Sequence, residues 1–151
     1  YSAAMLLADL RGVSPWQVVG THLSTPMVAT AQRGLYSAER TRLVPPAYLK
    51  RFCLKGHGPH EGEVLMSREL RGRVRFLGAN LIQELPNLPR FHVILLRNVL
   101  IYFDNDAKQQ IVRRVLALLK PDGVLYTGHA ESLTTLGLPV RAIATAIHVH
   151  A

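Results

Sequence analysis

The sequence from residue 91 to residue 132, FHVILLRNVLIYFDNDAKQQIVRRVLALLKPDGVLYTGHAES, decides the fold of this chain. Its first residues, Phe91–Leu96, are apolar and mostly branched, which is typical of a strand buried on both faces. Asp104 is a suitable N-cap for a helix, and Asp106 adds negative charge to its first turn. The stretch therefore begins as a buried strand, continues through a short turn and enters a helix.

An apolar stripe with helical spacing continues this helix to Leu119. Its members are Ala107, Ile111, Val112, Val115, Leu116, Leu118 and Leu119. Pro121-Asp122-Gly123 then ends the helix, and Val124–Thr127 predicts a second strand. A strand, a crossover helix and another strand form a parallel unit, which places the chain in the α/β class with a doubly wound sheet.

Ligands of such sheets bind beyond the carboxyl ends of the strands. Two polar clusters follow the predicted strands, and both are candidates for a binding site. The first contains Arg97 and Asn98 with Tyr102, and the second contains His129 with Glu131 and Ser132.

The same residues carry a family resemblance. The strings RNVLIYF, LLKPDG and GHAES, in this order and at this spacing, resemble the chemotaxis receptor methyltransferases of the CheR family. The resemblance implies a Rossmann-like methyltransferase fold and S-adenosylmethionine as the cofactor. It also implies methyl transfer to glutamate side chains of bacterial chemotaxis receptors, which gives γ-glutamyl methyl esters.

The resemblance also implies roles for single residues. Asn80 and Leu81 occupy the positions that contact the adenine, while Arg97 and Asn98 lie along the cofactor and Tyr102 lines the methyl-transfer site. Arg97 could orient a substrate carboxylate by bidentate pairing, and Tyr102 could do so through its hydroxyl. The plainer alternatives are an asparagine and a leucine that close a strand, a surface arginine and a partly buried aromatic ring.

His22 departs from the family pattern. The family has an acidic residue here, at the end of a strand, which binds the ribose hydroxyls, in a context closer to SDIDT than to GTHLST. Ser24 replaces a second acid. A neutral imidazole has one acceptor nitrogen where a carboxylate has two oxygens, so we expect weaker cofactor binding. The alternative is an ordinary exposed loop residue.

The resemblance covers residues 1–151 as one methyltransferase domain but omits parts of the family. The family's N-terminal helical domain, first strand and glycine-rich turn precede the position of Tyr1. In this fold the first strand lies between the strands at Trp16 and Phe91, so we expect two sheet fragments here. We therefore expect a marginally stable or associating chain that binds S-adenosylmethionine poorly.

Residues 50–70 predict a small antiparallel subdomain inserted in this fold. Arg51–Lys55 and Glu63–Leu70 have the pattern of a hairpin around a glycine-rich loop. The loop sequence GPHEG resembles family members that dock a receptor-tail peptide by strand addition, so the insert is a candidate peptide site. His57 and His60 have a metal-like spacing but lack a third ligand, which makes a metal the weaker interpretation.

Composition is typical of a globular domain. The chain has 151 residues, of which 48% are hydrophobic and 19% are charged. No apolar run is long enough for a membrane span, and no signal peptide is visible. The single cysteine, Cys53, excludes an internal disulfide and favours a reducing, cytoplasmic setting. Packing is the simpler role for Cys53 than nucleophilic catalysis.

Basic charge is concentrated between Arg33 and Arg75. This segment has ten basic and four acidic residues and so carries most of the formal net charge of +8. A polyanionic partner and a solvated surface are both consistent with it. No DNA-reading helix or aromatic platform accompanies the charge, so we do not expect a nucleic-acid partner.

The ends of the chain add further elements. Alanine and leucine spacing predicts a helix over Tyr1–Leu10, and two short β-branched runs predict an edge hairpin over residues 139–150. His148 and His150 alternate with apolar residues, so we expect both to face solvent. A His-x-His metal site is the sharper alternative.

Three functions from different classes remain open at this point. The first is a receptor glutamate methyltransferase with Arg97 and Tyr102 as catalytic candidates. The second is a non-catalytic remnant or peptide-binding module of the same fold, which His22 favours. The third is a basic nucleic-acid-associated protein, which only the charge supports.

Overall fold

The computed structural model describes all 151 residues, which form two compact units, Tyr1–Ala79 and Asn80–Ala151. The elements are mixed α and β, and their sheets contain parallel and antiparallel strands, so the α/β prediction is confirmed. No helix has both the length and the apolar character needed to cross a bilayer.

The first unit contains four helices and five strands. In chain order these are α1 (Ser2–Arg11), β1 (Val18–His22), α2 (Thr25–Arg33), β2 (Leu35–Ser37), α3 (Pro46–Phe52), β3 (Cys53–Lys55), β4 (Glu63–Met66), α4 (Arg68–Gly72) and β5 (Val74–Gly78). Strands β1 and β5 pair in parallel, and β2, β4 and β3 form a separate antiparallel sheet. The core of this first unit contains Ala4, Met5, Phe52, Val64, Met66 and Leu70.

The second unit contains one long helix and four strands. These are β6 (Phe91–Leu96), α5 (Asn105–Ala117), β7 (Leu119–Thr127), β8 (Val140–Ala144) and β9 (Ile147–His150). The sheet order is β6-β7-β9-β8, with β6 and β7 parallel and the others antiparallel. Helix α5 begins as predicted, because the Asp104 carboxylate accepts the amide of Ala107 at 2.9 Å. The predicted apolar stripe contributes Ile111, Val112, Val115 and Leu116 to the core.

Two predicted boundaries and one predicted burial pattern are wrong. Helix α5 ends at Ala117, and β7 already begins at Leu119, because Leu119 pairs with Phe91 across a register irregularity. Strand β6 is not buried on both faces: Ile94 and Leu96 face the core, whereas Val93 is 53% exposed and Leu95 is 58% exposed. Only the face turned toward α5 is covered, and β6 pairs only with β7.

The hairpin prediction is confirmed in part. Strands β3 and β4 are antiparallel, but β4 ends at Met66 and residues 68–72 form α4 instead of continuing the strand. Ser67 explains this change, because its hydroxyl caps α4 by accepting the amide of Leu70. Strand β2 was not predicted and completes the sheet on the other side of β4.

The expectation that His148 and His150 face solvent is also wrong. Strand β9 lies between β7 and β8, and His148 pairs opposite Leu125. His148 is therefore only 4% exposed, with Nε2 3.4 Å from the Thr127 hydroxyl. His150 is half-buried, and its Nε2 lies 3.4 Å from the Leu119 carbonyl oxygen.

Candidate functional site

The segment that follows β6 carries three of the predicted site residues. Arg97 and Asn98 are exposed at the carboxyl end of the strand, and Tyr102 is 78% exposed at the end of a single 3-10 turn, Leu100–Tyr102. Leu100 is fully buried between them and anchors the segment in the core. The alternative of a partly buried Tyr102 ring is therefore wrong.

The Glu131 carboxylate accepts hydrogen bonds from the backbone of this segment. Its Oε1 accepts the backbone amides of Val99 at 2.7 Å, Leu100 at 2.6 Å and Ile101 at 3.3 Å. Its Oε2 accepts the amides of Asn98 at 2.8 Å and Gly128 at 2.6 Å. We call these five N–H groups and the carboxylate the Glu131 collar. One side chain thus ties the ends of β6 and β7 together.

The collar accounts for the ionisation of Glu131, which is only 6% exposed. Burial alone raises the pKa of a carboxyl, because it disfavours the charged form. Here the hydrogen bonds from Gly128, Asn98, Leu100 and Val99 outweigh this burial and hold the pKa of Glu131 below its ordinary value. The carboxylate is therefore negatively charged at neutral pH, and its charge is compensated by backbone dipoles.

Asn98 adopts a left-handed backbone conformation, with φ of 57°. Asparagine tolerates this region better than most residues because its short polar side chain can bond locally. Its Oδ1 lies close to Gly128, where a Cβ would come within 2.9 Å of it. The left-handed residue and the glycine are thus two parts of one turn geometry.

Asn80 and Leu81 lie at the start of the second unit. The Asn80 side-chain oxygen accepts the amide of Ile82 at 3.1 Å, which leaves the NH₂ group of Asn80 as a donor. Leu81 is half-buried and packs on the core of this unit. Arg114 of α5 donates to the Leu81 carbonyl oxygen at 3.1 Å and so fixes the backbone there.

His22 is the last residue of β1, in the first unit, and its side chain is exposed. Its Nδ1 accepts the backbone amide of Ser24 at 2.9 Å. A neutral ring with Nδ1 as acceptor carries its proton on Nε2, so the free nitrogen of His22 is a donor. The single acceptor that the sequence analysis assigned to a ribose hydroxyl is thus occupied by the chain itself.

The structure brings Arg97, Asn98 and Tyr102 together in one segment, with Asn80 and Leu81 in the same unit. Sequence reasoning placed Glu131 in a polar cluster but missed its role as the acceptor of five amides. The sequence signal for this role was the carboxylate of Glu131, three residues after Gly128 in GHAES, which directly follows the predicted strand Val124–Thr127.

The parallel strands β6 and β7, the helix between them and the polar side chains that follow β6 place the chain among the α/β domains that bind ligands at the carboxyl ends of their strands. Residues 1–147 match the family described as CheR methyltransferase, SAM binding domain. The chain belongs to this family.

Relatives named chemotaxis protein methyltransferases match most of the chain. The chemotaxis protein methyltransferase of Salmonella typhimurium is 40% identical over 139 residues, which are 90% of this chain and 48% of that protein. The Escherichia coli protein is 41% identical over 90% of this chain and 49% of its own length. Chemotaxis protein methyltransferase 2 of Pseudomonas aeruginosa is 32% identical over 98% of this chain and 54% of its own length.

The chain thus spans about half the length of the curated relatives it matches. Among solved structures, the glycopeptide N-methyltransferase MtfA aligns over 99% of this chain and 60% of its own, with a TM-score of 0.49 and 15% identity.

Asn80 and Leu81, both in the second unit, suit the adenine of S-adenosylmethionine, the cofactor of this family. The free NH₂ group of Asn80 can donate to a ring nitrogen of adenine, and Leu81 offers an aliphatic surface beside it. His22 lies in the other unit, and with its Nδ1 occupied it offers only a donor where the resemblance implies an acidic acceptor for the ribose hydroxyls. Asn80 and Leu81 therefore have the polarity that their implied partner requires, whereas His22 does not replace the acidic residue.

Proposed function

We propose that this chain is the cofactor-binding and catalytic domain of a receptor glutamate methyltransferase. The substrate is a glutamate side chain of a chemotaxis receptor, and the product is a γ-glutamyl methyl ester. The observation that supports this most strongly is the exposed set Arg97, Asn98 and Tyr102 at the carboxyl end of β6, in a chain of the CheR family.

Methyl transfer to a carboxylate does not require a strong base. S-adenosylmethionine supplies an electrophilic methyl group, and a glutamate side chain is already ionised at neutral pH. Positioning of the carboxylate and exclusion of water are then the main tasks of the protein. We assign Arg97 to pairing with the substrate carboxylate and Tyr102 to orienting it through a hydroxyl hydrogen bond, with Asn98 beside the cofactor.

Calorimetric titration with S-adenosylmethionine and transfer of labelled methyl groups to a receptor cytoplasmic fragment test this function. Because the chain spans about half the length of its relatives, the assay also includes the chain joined to the part of the Salmonella relative that it does not match. We expect Arg97→Ala and Tyr102→Phe to reduce transfer at least about tenfold. Arg113→Ala, an exposed arginine of α5, is the matched control and should leave it unchanged. Absence of cofactor binding in both proteins would reject the proposal.

We also propose that β3 docks an extended receptor-tail peptide. Strand β3 is an edge of the β2-β4-β3 sheet, with Leu54 58% exposed. The amide of Gly56 donates to the Glu63 carbonyl oxygen, and the amide of Ser67 donates to the Phe52 carbonyl oxygen. The antiparallel alternation therefore directs the Lys55 N–H away from β4, toward an added strand.

Lys55 allows a sharp test of strand addition. Lys55→Pro removes this outward N–H without removing a bond to β4, whereas Lys55→Ala keeps it. We expect amide shifts over residues 51–70 when peptide is added to the Lys55→Ala variant, and none with Lys55→Pro. Equal shifts in both variants, or no shifts in the wild-type chain at millimolar peptide, would rule out docking at this edge.

A further inference from the structure

Glu131 is buried beside the candidate site, and every hydrogen bond of its carboxylate goes to a backbone amide and none to a side chain. Its two oxygens accept the backbone amides of Asn98, Val99, Leu100, Ile101 and Gly128. With this many N–H donors around one carboxylate, no lone pair is left for a substrate, a proton relay or a metal. Glu131 is therefore not a catalytic residue.

The four consecutive amides of residues 98–101 converge on this one side chain. Convergence requires the backbone to curl around the carboxylate, and the φ of 57° at Asn98 is part of that curl. Arg97 and Tyr102 flank this curled backbone, and their side chains are exposed. The direction in which both side chains emerge is thus set by bonds to a residue 30 to 33 positions later in the chain.

We propose that Glu131 is the positioning residue of the methyl-transfer site and holds Arg97, Asn98 and Tyr102 in their reactive arrangement. This inference rests on the proposed function for the identity of the reaction. It predicts that loss of the collar impairs binding and turnover beyond what the accompanying loss of stability explains.

Two substitutions separate charge from geometry. Glu131→Gln keeps the shape but turns an acceptor into an NH₂ donor that faces amide donors. Glu131→Asp keeps the charge but withdraws both oxygens by one methylene, and it remains informative if the glutamine variant folds poorly. Val115→Ala removes a buried side chain of α5 that makes no hydrogen bond to the segment, and serves as the control matched for stability.

The first measurement is amide hydrogen exchange in the 151-residue chain. We expect Glu131→Gln to speed exchange at residues 98–101 at least about tenfold more than in β7, a change equivalent to about 1.4 kcal/mol. Val115→Ala should raise exchange evenly over the unit. An unchanged pattern at residues 98–101 in Glu131→Gln, or the same local loss in Val115→Ala, would overturn the inference.

The second measurement is the dissociation constant of S-adenosylmethionine, with KM for receptor and kcat. We expect Glu131→Gln to weaken binding and to lower kcat, each at least about tenfold, with Glu131→Asp between it and the wild type. If Glu131→Gln speeds amide exchange at residues 98–101 but leaves cofactor binding and kcat unchanged, the inference is also overturned. If the wild-type protein neither binds the cofactor nor transfers methyl groups, the proposed function fails, and hydrogen exchange alone still decides whether Glu131 positions the segment.

Discussion

Gly128 and Glu131 fit together because position 128 has no side chain. The Gly128 amide donates to Oε2 of Glu131 at 2.6 Å, and a Cβ on residue 128 would lie 2.5 Å from the same oxygen. That Cβ would also lie 2.9 Å from Oδ1 of Asn98. The glycine therefore makes room for the two side chains that shape the site.

Gly128→Ala should displace the Glu131 carboxylate and destabilise the second unit by about 1–3 kcal/mol. The reason is steric, since the atoms that must yield are a buried carboxylate and its partner amide. Urea unfolding, followed through amide signals of β6 and β7, measures the effect. Gly78→Ala is the control, because a Cβ there meets nothing within 4 Å. Equal stability of the two variants would contradict the prediction.

Asn98 allows the backbone and the side chain to be tested apart. At φ of 57° alanine is strained by roughly 1–2 kcal/mol, whereas glycine is not. We therefore expect Asn98→Ala to unfold at a lower urea concentration than Asn98→Gly. If the amide side chain contacts the cofactor, both variants should weaken its binding. Equal unfolding midpoints would show that backbone strain at this position is unimportant.

Stability should depend on the ionisation of Glu131 in acid. The collar lowers the folded-state pKa below that of the unfolded chain, which is about 4.3 for glutamate. The stabilisation is fully present above that value and is lost as the pH falls through the folded-state pKa. Urea unfolding of the wild type and Glu131→Gln from pH 7 to pH 2 should show a difference that shrinks below about pH 4.3. A constant difference would contradict this linkage.

The stability of the folded chain should also depend on the ionisation of His148, in a higher pH range than for Glu131. Burial lowers its pKa below the ordinary value of about 6.5, so the unfolded chain binds a proton that the folded chain does not. Stability therefore falls as the pH drops below about 6.5. The buried Nδ1 has no partner, so His148→Leu should remove this dependence without a large loss of stability at pH 7.5. Parallel stability curves for the two proteins between pH 7.5 and pH 5 would contradict the prediction.

Much of the second unit could be predicted from sequence because its signals are local. The capping carboxylate of Asp104 and the apolar stripe of α5 depend on residues a few positions apart. The order strand, helix, parallel strand follows from these and from handedness rules. The candidate residues Arg97, Asn98 and Tyr102 were found because they follow a strand, and the family resemblance gave them roles.

What the sequence could not supply depends on sheet order and on the backbone. The burial of His148 follows from the position of β9 between two strands, which alternation alone cannot reveal. Strand β2 has three residues, too few for a period. The Glu131 collar involves main-chain N–H groups, which every residue except proline carries, so no side-chain pattern marks them.

The separation of Glu131 from its partners also has a kinetic consequence. Its bonds to residues 98–101 close loops of 30 to 33 residues, and they can form only after β6 and β7 are in register. We therefore place the collar after the rate-limiting step of folding. Contacts made late affect mainly the rate at which the native state opens, so loss of this carboxylate should speed unfolding and leave refolding nearly unchanged. The persistence of the site over time, more than its formation, would then depend on a single side chain.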